Sequence, residues 1–222
     1  MIAIALDGPA GAGKSTVCQA VAKQLGIIHV DTGALYRAVG VYALRRGVDT
    51  ADWPGVIALL PDIHVSLRFT GEGQRIYLDG EDVSQAIRQP EASMAASNVS
   101  AIPQVRDFLL DLQRDLARRG SVIMDGRDIG TVVLPDVDVK IFLTASPQVR
   151  AARRYNELKE KGHDVEYEAI LAEVRERDYN DSHRAAAPLR KAPDAWVCDT
   201  TDMDLAESVR LIIEHIKERM GS

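Results

Sequence analysis

Apolar residues along this chain occur in two patterns: short unbroken runs, and stripes at helical spacing. The first run, Ile2 to Leu6, suits one buried parallel strand and stops at Asp7-Gly8. Gly8 to Gly13 fits no regular element. From Lys14, Val17, Val21 and Leu25 recur at helical spacing until Gly26 stops the helix. A second short strand, Ile27 to Val30, leads through Asp31-Thr32-Gly33 into a helix running to about Arg46. Later runs at Val122 to Met124, Val139 to Leu143 and Trp196 to Cys198 predict three more strands. Helical stripes predict helices over Gln104 to Arg119, Gln148 to Lys161, Tyr167 to Tyr179 and Leu205 to Met220. Strands alternating with helices define an α/β fold, a central parallel sheet of about five strands covered on both faces.

One stretch breaks the rhythm. His64 to Phe69 alternates, Gly71-Glu72-Gly73 turns, and Arg75 to Leu78 alternates again, which predicts an antiparallel hairpin. It falls between helical segments, so residues 62–98 are read as a small insert within a single domain spanning 1–222.

Composition narrows the class. At 222 residues with 46% apolar and 27% charged positions, the chain is neither disordered nor fibrous. The opening apolar run is too short for a leader or a membrane span, so a soluble cytoplasmic protein with no membrane partner is expected. Cys18 and Cys198 have no metal-type spacing, and reduced thiols are the default. A net charge of −6 argues against a nucleic-acid polymer as partner. The 27 basic residues nevertheless divide into 20 Arg and 7 Lys, and the Arg fork suits bidentate phosphate contacts.

Gly8-Pro9-Ala10-Gly11-Ala12-Gly13-Lys14-Ser15 matches G-x-x-x-x-G-K-[ST], placed between a buried strand and a helix as the motif requires. The glycines let backbone N–H groups converge on phosphate oxygens, and the helix start adds its positive dipole end. Lys14 supplies a cation for the transferring phosphoryl group, and the Ser15 hydroxyl is placed for Mg²⁺. A dinucleotide fingerprint fails, because Thr16 stands at its third glycine. A GTPase reading fails too, because no Asn is followed by Lys.

Three further segments admit two readings each. In Asp31-Thr32-Gly33-Ala34-Leu35-Tyr36-Arg37, Thr32 and Arg37 could face one anion, or Asp31 or Thr32 could cap the helix over a packed Tyr36. Asp125-Gly126-Arg127-Asp128 ends a strand where sheet ligands sit. Asp125 there could help hold Mg²⁺, or begin a plain Asp-Gly turn, and Asp128 could face a ligand or merely pair with Arg127. Arg177, Asp181 and Arg184 fall at i, i+4, i+7 on one helical stripe, either a lid over phosphates or a solvated surface.

Taken in order, GPAGAGKST, DTGALYRA, AASNVSAIPQVR, DGRDIGTVVLPD, VKIFLTAS, RDYNDSHRAAAPL and the 62–98 insert resemble the bacterial cytidylate (CMP) kinases, over nearly the whole chain. The resemblance implies the P-loop kinase fold and Mg²⁺-dependent transfer of the ATP γ-phosphate to CMP or dCMP; a monomer is expected. It implies that the 62–98 insert binds the monophosphate, that residues 8–16 (Thr16 included) hold ATP, and that Lys14, Arg127 and Arg184 serve transfer. By the same resemblance Thr32, Arg37 and Arg127 hold the CMP phosphate with Tyr36 nearby, while Ser97, Arg106 and Asp128 read the cytosine edge. Arg177 and Asp181 take the ribose hydroxyls, and Arg184 joins Arg153 and Arg154 in a helical lid over 150–184. Many members carry Ser where this chain has Thr32, which keeps the hydroxyl and adds a methyl. The alternatives are a kinase for UMP or another small acceptor, and a nucleotide-gated regulatory ATPase.

Overall fold

The structure, a computed structural model, describes residues 1–71 and 73–221. Its centre is a five-stranded, all-parallel sheet built from β1 (Ala3–Asp7), β2 (Ile28–Asp31), β6 (Val122–Gly126), β7 (Val139–Thr144) and β8 (Trp196–Asp199), in the order β2-β6-β1-β7-β8. Both faces are covered, so both parities of each strand are apolar. Ile4, Leu6 and Ile123 pack with Val17 and Val21 of α1 (Lys14–Leu25) and Val209, Ile212 and Ile216 of α8 (Leu205–Met220). Ala5, Val122 and Met124 face the other way, onto Leu116 of α5 (Pro103–Arg118) and Ile129 and Val133 of the wide π-type turn Ile129–Val133. This is the layering that uninterrupted apolar runs demand.

The hairpin is present as β3 (Val65–Thr70) against β4 (Gly73–Leu78), with Val65 opposite Leu78 and Thr70 opposite Gly73. Glu72, at the tip of the expected turn, lies outside the described residues. A two-residue third strand, β5 (Glu81–Asp82), extends the hairpin; its polar residues offer no alternation to detect. Ile76 and Leu78 are buried in one cluster with Leu35 and Val39 of α2 (Gly33–Arg45), Val56 of α3 (Trp53–Leu59), Val99 of α4 (Pro90–Ser100) and Leu109 of α5. The hairpin therefore shares its core with four neighbouring helices and does not have one of its own.

Beyond β7 the chain forms α6 (Pro147–Glu160) and α7 (Tyr167–His183), which pack on each other through Ala151, Leu158, Ile170, Leu171 and Val174. α7 runs a full turn past the expected Tyr179. Its final turn, Asn180 to His183, is polar, so the apolar stripe gives no sign of it. The expected single stripe of Arg177, Asp181 and Arg184 is corrected in one respect: Arg184 is already extended at φ −60° and ψ 144°, beyond the helix end. It reaches Asp181 from the following loop.

Candidate active site

The parallel register places Asp7, Asp31 and Asp125 at the same edge of the sheet, the carboxyl ends of β1, β2 and β6. Each does a different job. Asp125 is the most connected: Oδ2 accepts from Ser15 Oγ at 2.9 Å, Oδ1 lies 2.6 Å from His29 Nε2, and its carbonyl accepts from Thr32 Oγ1 at 2.8 Å. Burial alone would lower the His29 pKa, but the Asp125 hydrogen bond and charge hold it above the ordinary value. Ser15 and Asp125 thus present a hydroxyl and a carboxylate to one point, the hard-oxygen donors that Mg²⁺ selects. That donor set fits the ion.

The glycine cradle sits beside them. A Cβ at Gly8 would lie 1.9 Å from Leu143 O, so β7 approaches too closely for any other residue. Gly13 enters α1 at φ +88°, turning its successors' N–H groups toward the cradle. Lys14 Nζ donates to Pro9 O at 2.8 Å, folding the side chain back over the loop. Burial, and then Arg127, push the Lys14 pKa down to about 7, with Asp125 and Asp181 working against the shift. The loop is braced from behind by a residue that the sequence reading missed. Arg150 of α6 donates to Ala10 O at 3.0 Å and to Ala145 O at 2.8 Å, and pairs with Asp178 of α7 at 2.6 Å. An arginine in a helical pair rich in both charge signs, readable as a lid or as a solvated surface, gave no signal of its own.

In the segment after β2, the capping role falls to Asp31 and not to Thr32. Asp31 does the capping, accepting from Ala34 N at 3.1 Å while its other oxygen pairs with Arg37. Thr32 makes no side-chain cap and points at β6 instead. Gln74 of β4 donates to Asp31 O at 3.0 Å and accepts from Asp31 N at 2.9 Å, tying the hairpin to this corner.

Beyond the end of β6, Asp128 and Arg106 form a buried ion pair, 4% and 8% exposed, with the guanidinium 5.2 Å from the Tyr36 ring centre. The alternative pairing of Asp128 with Arg127 is not what forms: Arg127 Nε donates to Asp181 Oδ2 at 2.7 Å. Arg106 also donates to Ser100 O at 3.0 Å, and Arg184 reaches Ser100 Oγ at 3.3 Å and Asp181 at 3.8 Å. Ser100, at the end of α4, therefore joins two of the expected residues. Ser97 lies one turn earlier, where its carbonyl accepts from Ser100 Oγ. Arg177 completes this wall with Nε buried and without a partner, the only such side-chain nitrogen or oxygen among the described residues. Burial and the nearby Arg127 push its pKa down to about 10. A buried donor without an acceptor, surrounded by cations, is a place for an anion.

Two expected residues have their hydrogen-bond partners outside this wall. Arg153 donates to Thr200 O at 2.7 Å, and Arg154 pairs with Glu157 at 3.1 Å on the surface of α6. A further missed residue, Asp7, accepts from Ile129 N and Gly130 N at 2.8 Å each, holding the turn that follows Asp128. Burial pushes its pKa up to about 6 against those two bonds. At the end of an apolar strand it reads as a stop signal, so nothing local marks it.

A parallel sheet of this order, with a glycine cradle between its central strand and a helix, defines a P-loop nucleotide-binding protein, and the relatives narrow the class to a kinase. The family model for cytidylate kinase matches residues 4–218. A cytidylate kinase from Caldicellulosiruptor saccharolyticus is 48% identical over 221 residues, covering 100% of this chain and 98% of that protein. One from Pelotomaculum thermopropionicum is 50% identical over 214 residues, covering 96% and 95%. The chain belongs to the cytidylate kinase family. Among solved structures, an uncharacterized protein from Eubacterium ventriosum shares the fold, with a TM-score of 0.51 at 14% identity over 98% of this chain and 99% of that one. Among the described residues, no helix is long and apolar enough to cross a membrane.

Proposed function

We propose that this protein transfers the γ-phosphate of ATP to CMP or dCMP, as a cytoplasmic, Mg²⁺-dependent enzyme. The observation that carries the choice of acceptor is the buried Arg106–Asp128 pair just beyond the carboxyl end of β6. Cytosine presents an amine donor beside two acceptors, and a carboxylate and a guanidinium held together answer both. Uracil would turn a carbonyl toward the carboxylate. Family membership supports the same acceptor.

In this reading the glycine cradle and Lys14 take the ATP phosphates, with Arg150 fixing the loop. Thr32, Arg37 and Arg127 receive the CMP phosphate, and Arg177 and Asp181 the ribose. Asp31 already positions Arg37, and Asp181 positions Arg127. Residues 62–98 act as the monophosphate-binding subdomain and 150–184 as the lid, Arg184 closing from the loop beyond α7. Ser15 and Asp125 would hold Mg²⁺, which supplies charge neutralisation between the donor phosphates. A phosphate monoester has a second pKa of about 6, so its oxygen attacks without a general base. The chain's own task is to offset repulsion between two polyanions and hold them in line.

A panel of acceptors (CMP, dCMP, UMP, AMP, GMP) assayed with ATP and Mg²⁺ tests this. CMP and dCMP should exceed UMP, and purine monophosphates should be inert. ATP hydrolysis that ignores every acceptor would overturn the kinase reading.

A further inference from the structure

Cys18 is a buried group beside the cradle for which phosphoryl transfer has no use. It lies on α1 three residues past Ser15, with no exposed surface. That spacing puts its thiol on the same helix face as the Ser15 hydroxyl. His29 reaches the same point from β2 and Asp125 from the end of β6. Among the described residues these three are the only group of metal-capable side chains, their ligand atoms all within 4.8 Å of one another. A helix and two adjacent strands of the sheet hold them, so the hydrophobic core fixes their spacing. A thiolate, an imidazole and a carboxylate form a mixed sulfur, nitrogen and oxygen set. Mg²⁺ does not choose such a set; Zn²⁺ and its thiophilic relatives do, commonly with three protein ligands and one open position.

We propose that Cys18, His29 and Asp125 form a second cation site, for a thiophilic divalent ion of the Zn²⁺ class, whose fourth position opens toward Ser15. Occupying it requires Cys18 to lose its proton to solvent, and His29 Nε2 and Asp125 Oδ1 to release the proton of the hydrogen bond that now joins them at 2.6 Å and take the ion in its place. The ion draws on the same Asp125 carboxylate that would hold Mg²⁺ with Ser15, and two dications cannot share it at such close range, so filling the site stops phosphoryl transfer; this consequence rests on the Mg²⁺ role proposed above for Asp125.

The test begins with binding to the nucleotide-free protein. Competition against a chromophoric chelator should show one Zn²⁺ per chain, and Co²⁺ should give a thiolate-to-cobalt charge-transfer band. Cys18→Ala should abolish the band and weaken Zn²⁺ by more than about tenfold, the least that disturbing even an outer-shell partner costs. His29→Gln, at a partly exposed position, should weaken it similarly, and keeps the test open if the core variant folds poorly. Unchanged Zn²⁺ affinity in folded variants, or no charge-transfer band in the native protein, overturns the site. The second arm adds Zn²⁺ to the CMP assay at fixed excess Mg²⁺. Inhibition that Cys18→Ala relieves supports the exclusion. Tight, Cys18-dependent binding without inhibition overturns the exclusion and Asp125's Mg²⁺ role, while leaving the cation site standing.

Discussion

Asp128 carries two duties at once. Its carboxylate neutralises a buried guanidinium, and in the proposed reading it also accepts from the cytosine amine. Asp128→Asn keeps the shape and can donate to a uracil carbonyl, so kcat/KM should fall far more for CMP than for UMP. Loss of one charge-assisted hydrogen bond is about 1.5–3 kcal/mol, which narrows the ratio by roughly 10- to 150-fold. The substitution also leaves Arg106 facing Arg184 without its counter-charge, and breaking a buried pair costs about 3–5 kcal/mol. A lowered melting temperature is thus expected beside the altered ratio. Steady-state kinetics on both acceptors, run below the variant's melting transition, separate the effects: an equal loss for CMP and UMP would mean that Asp128 only supports Arg106.

At the scale of elements, legibility followed burial. The sheet, α1, α2, α5 and α8 all bury an apolar face, and their patterns locate them to within a residue or two. The last turn of α7 and the π-type turn are held by polar bonds between residues far apart in sequence, and β5, whose own residues are polar, by a two-residue pairing across a tight turn, none of which a local apolar pattern records. The candidate site divides the same way. Its cradle is a contiguous motif and was readable, whereas Asp7, Ser100 and Arg150 act only through partners brought up by the fold. Asp7 makes this measurable, because it joins β1 to the π-type turn. Its pKa rises from 3.8 to about 6 on folding, so between those values the native protein keeps a proton that the unfolded chain releases. Stability contributed by this group therefore falls as pH rises through about 4 to 6, and above that window its burial costs on the order of 3 kcal/mol. Asp7→Asn removes that titration but sets an amide donor against one of the two turn N–H groups. The melting temperature of the variant minus that of the native protein should climb from pH 4 to pH 7. A difference that stays flat across the window would mean that Asp7 does not titrate there.

Across the whole molecule, the cations of the site are distributed over separately packed layers. Lys14 sits on the sheet core and Arg106 on the α2–α5 layer. Arg177 belongs to the α6–α7 pair, whose small cluster is its own. Polar contacts join these layers at the site: Arg127 to Asp181, Arg184 to Ser100, and Arg150 to both Ala10 and Asp178. Without phosphates, Arg177 stands near Arg127, Arg37 and Arg154, and their mutual repulsion opposes drawing α7 inward. Two bound polyanions reverse the sign of that interaction, so closure should follow charge. The hairpin moves less freely, since β4 is locked to α2 and Gln74 to Asp31, which confines its response to the exposed strand β3. Hydrogen exchange with CMP, with a non-hydrolysable ATP analogue, and with both should resolve the pattern. CMP alone should protect β3 and the end of α7 from Val174 to His183. The analogue alone should protect the cradle and the start of α6. Both together should slow exchange in α7 beyond either alone, and added salt should erode that excess because it screens the charges that create it. Exchange in α7 that ignores both nucleotides would remove the lid from the mechanism and leave Arg177 without the anion its buried nitrogen lacks.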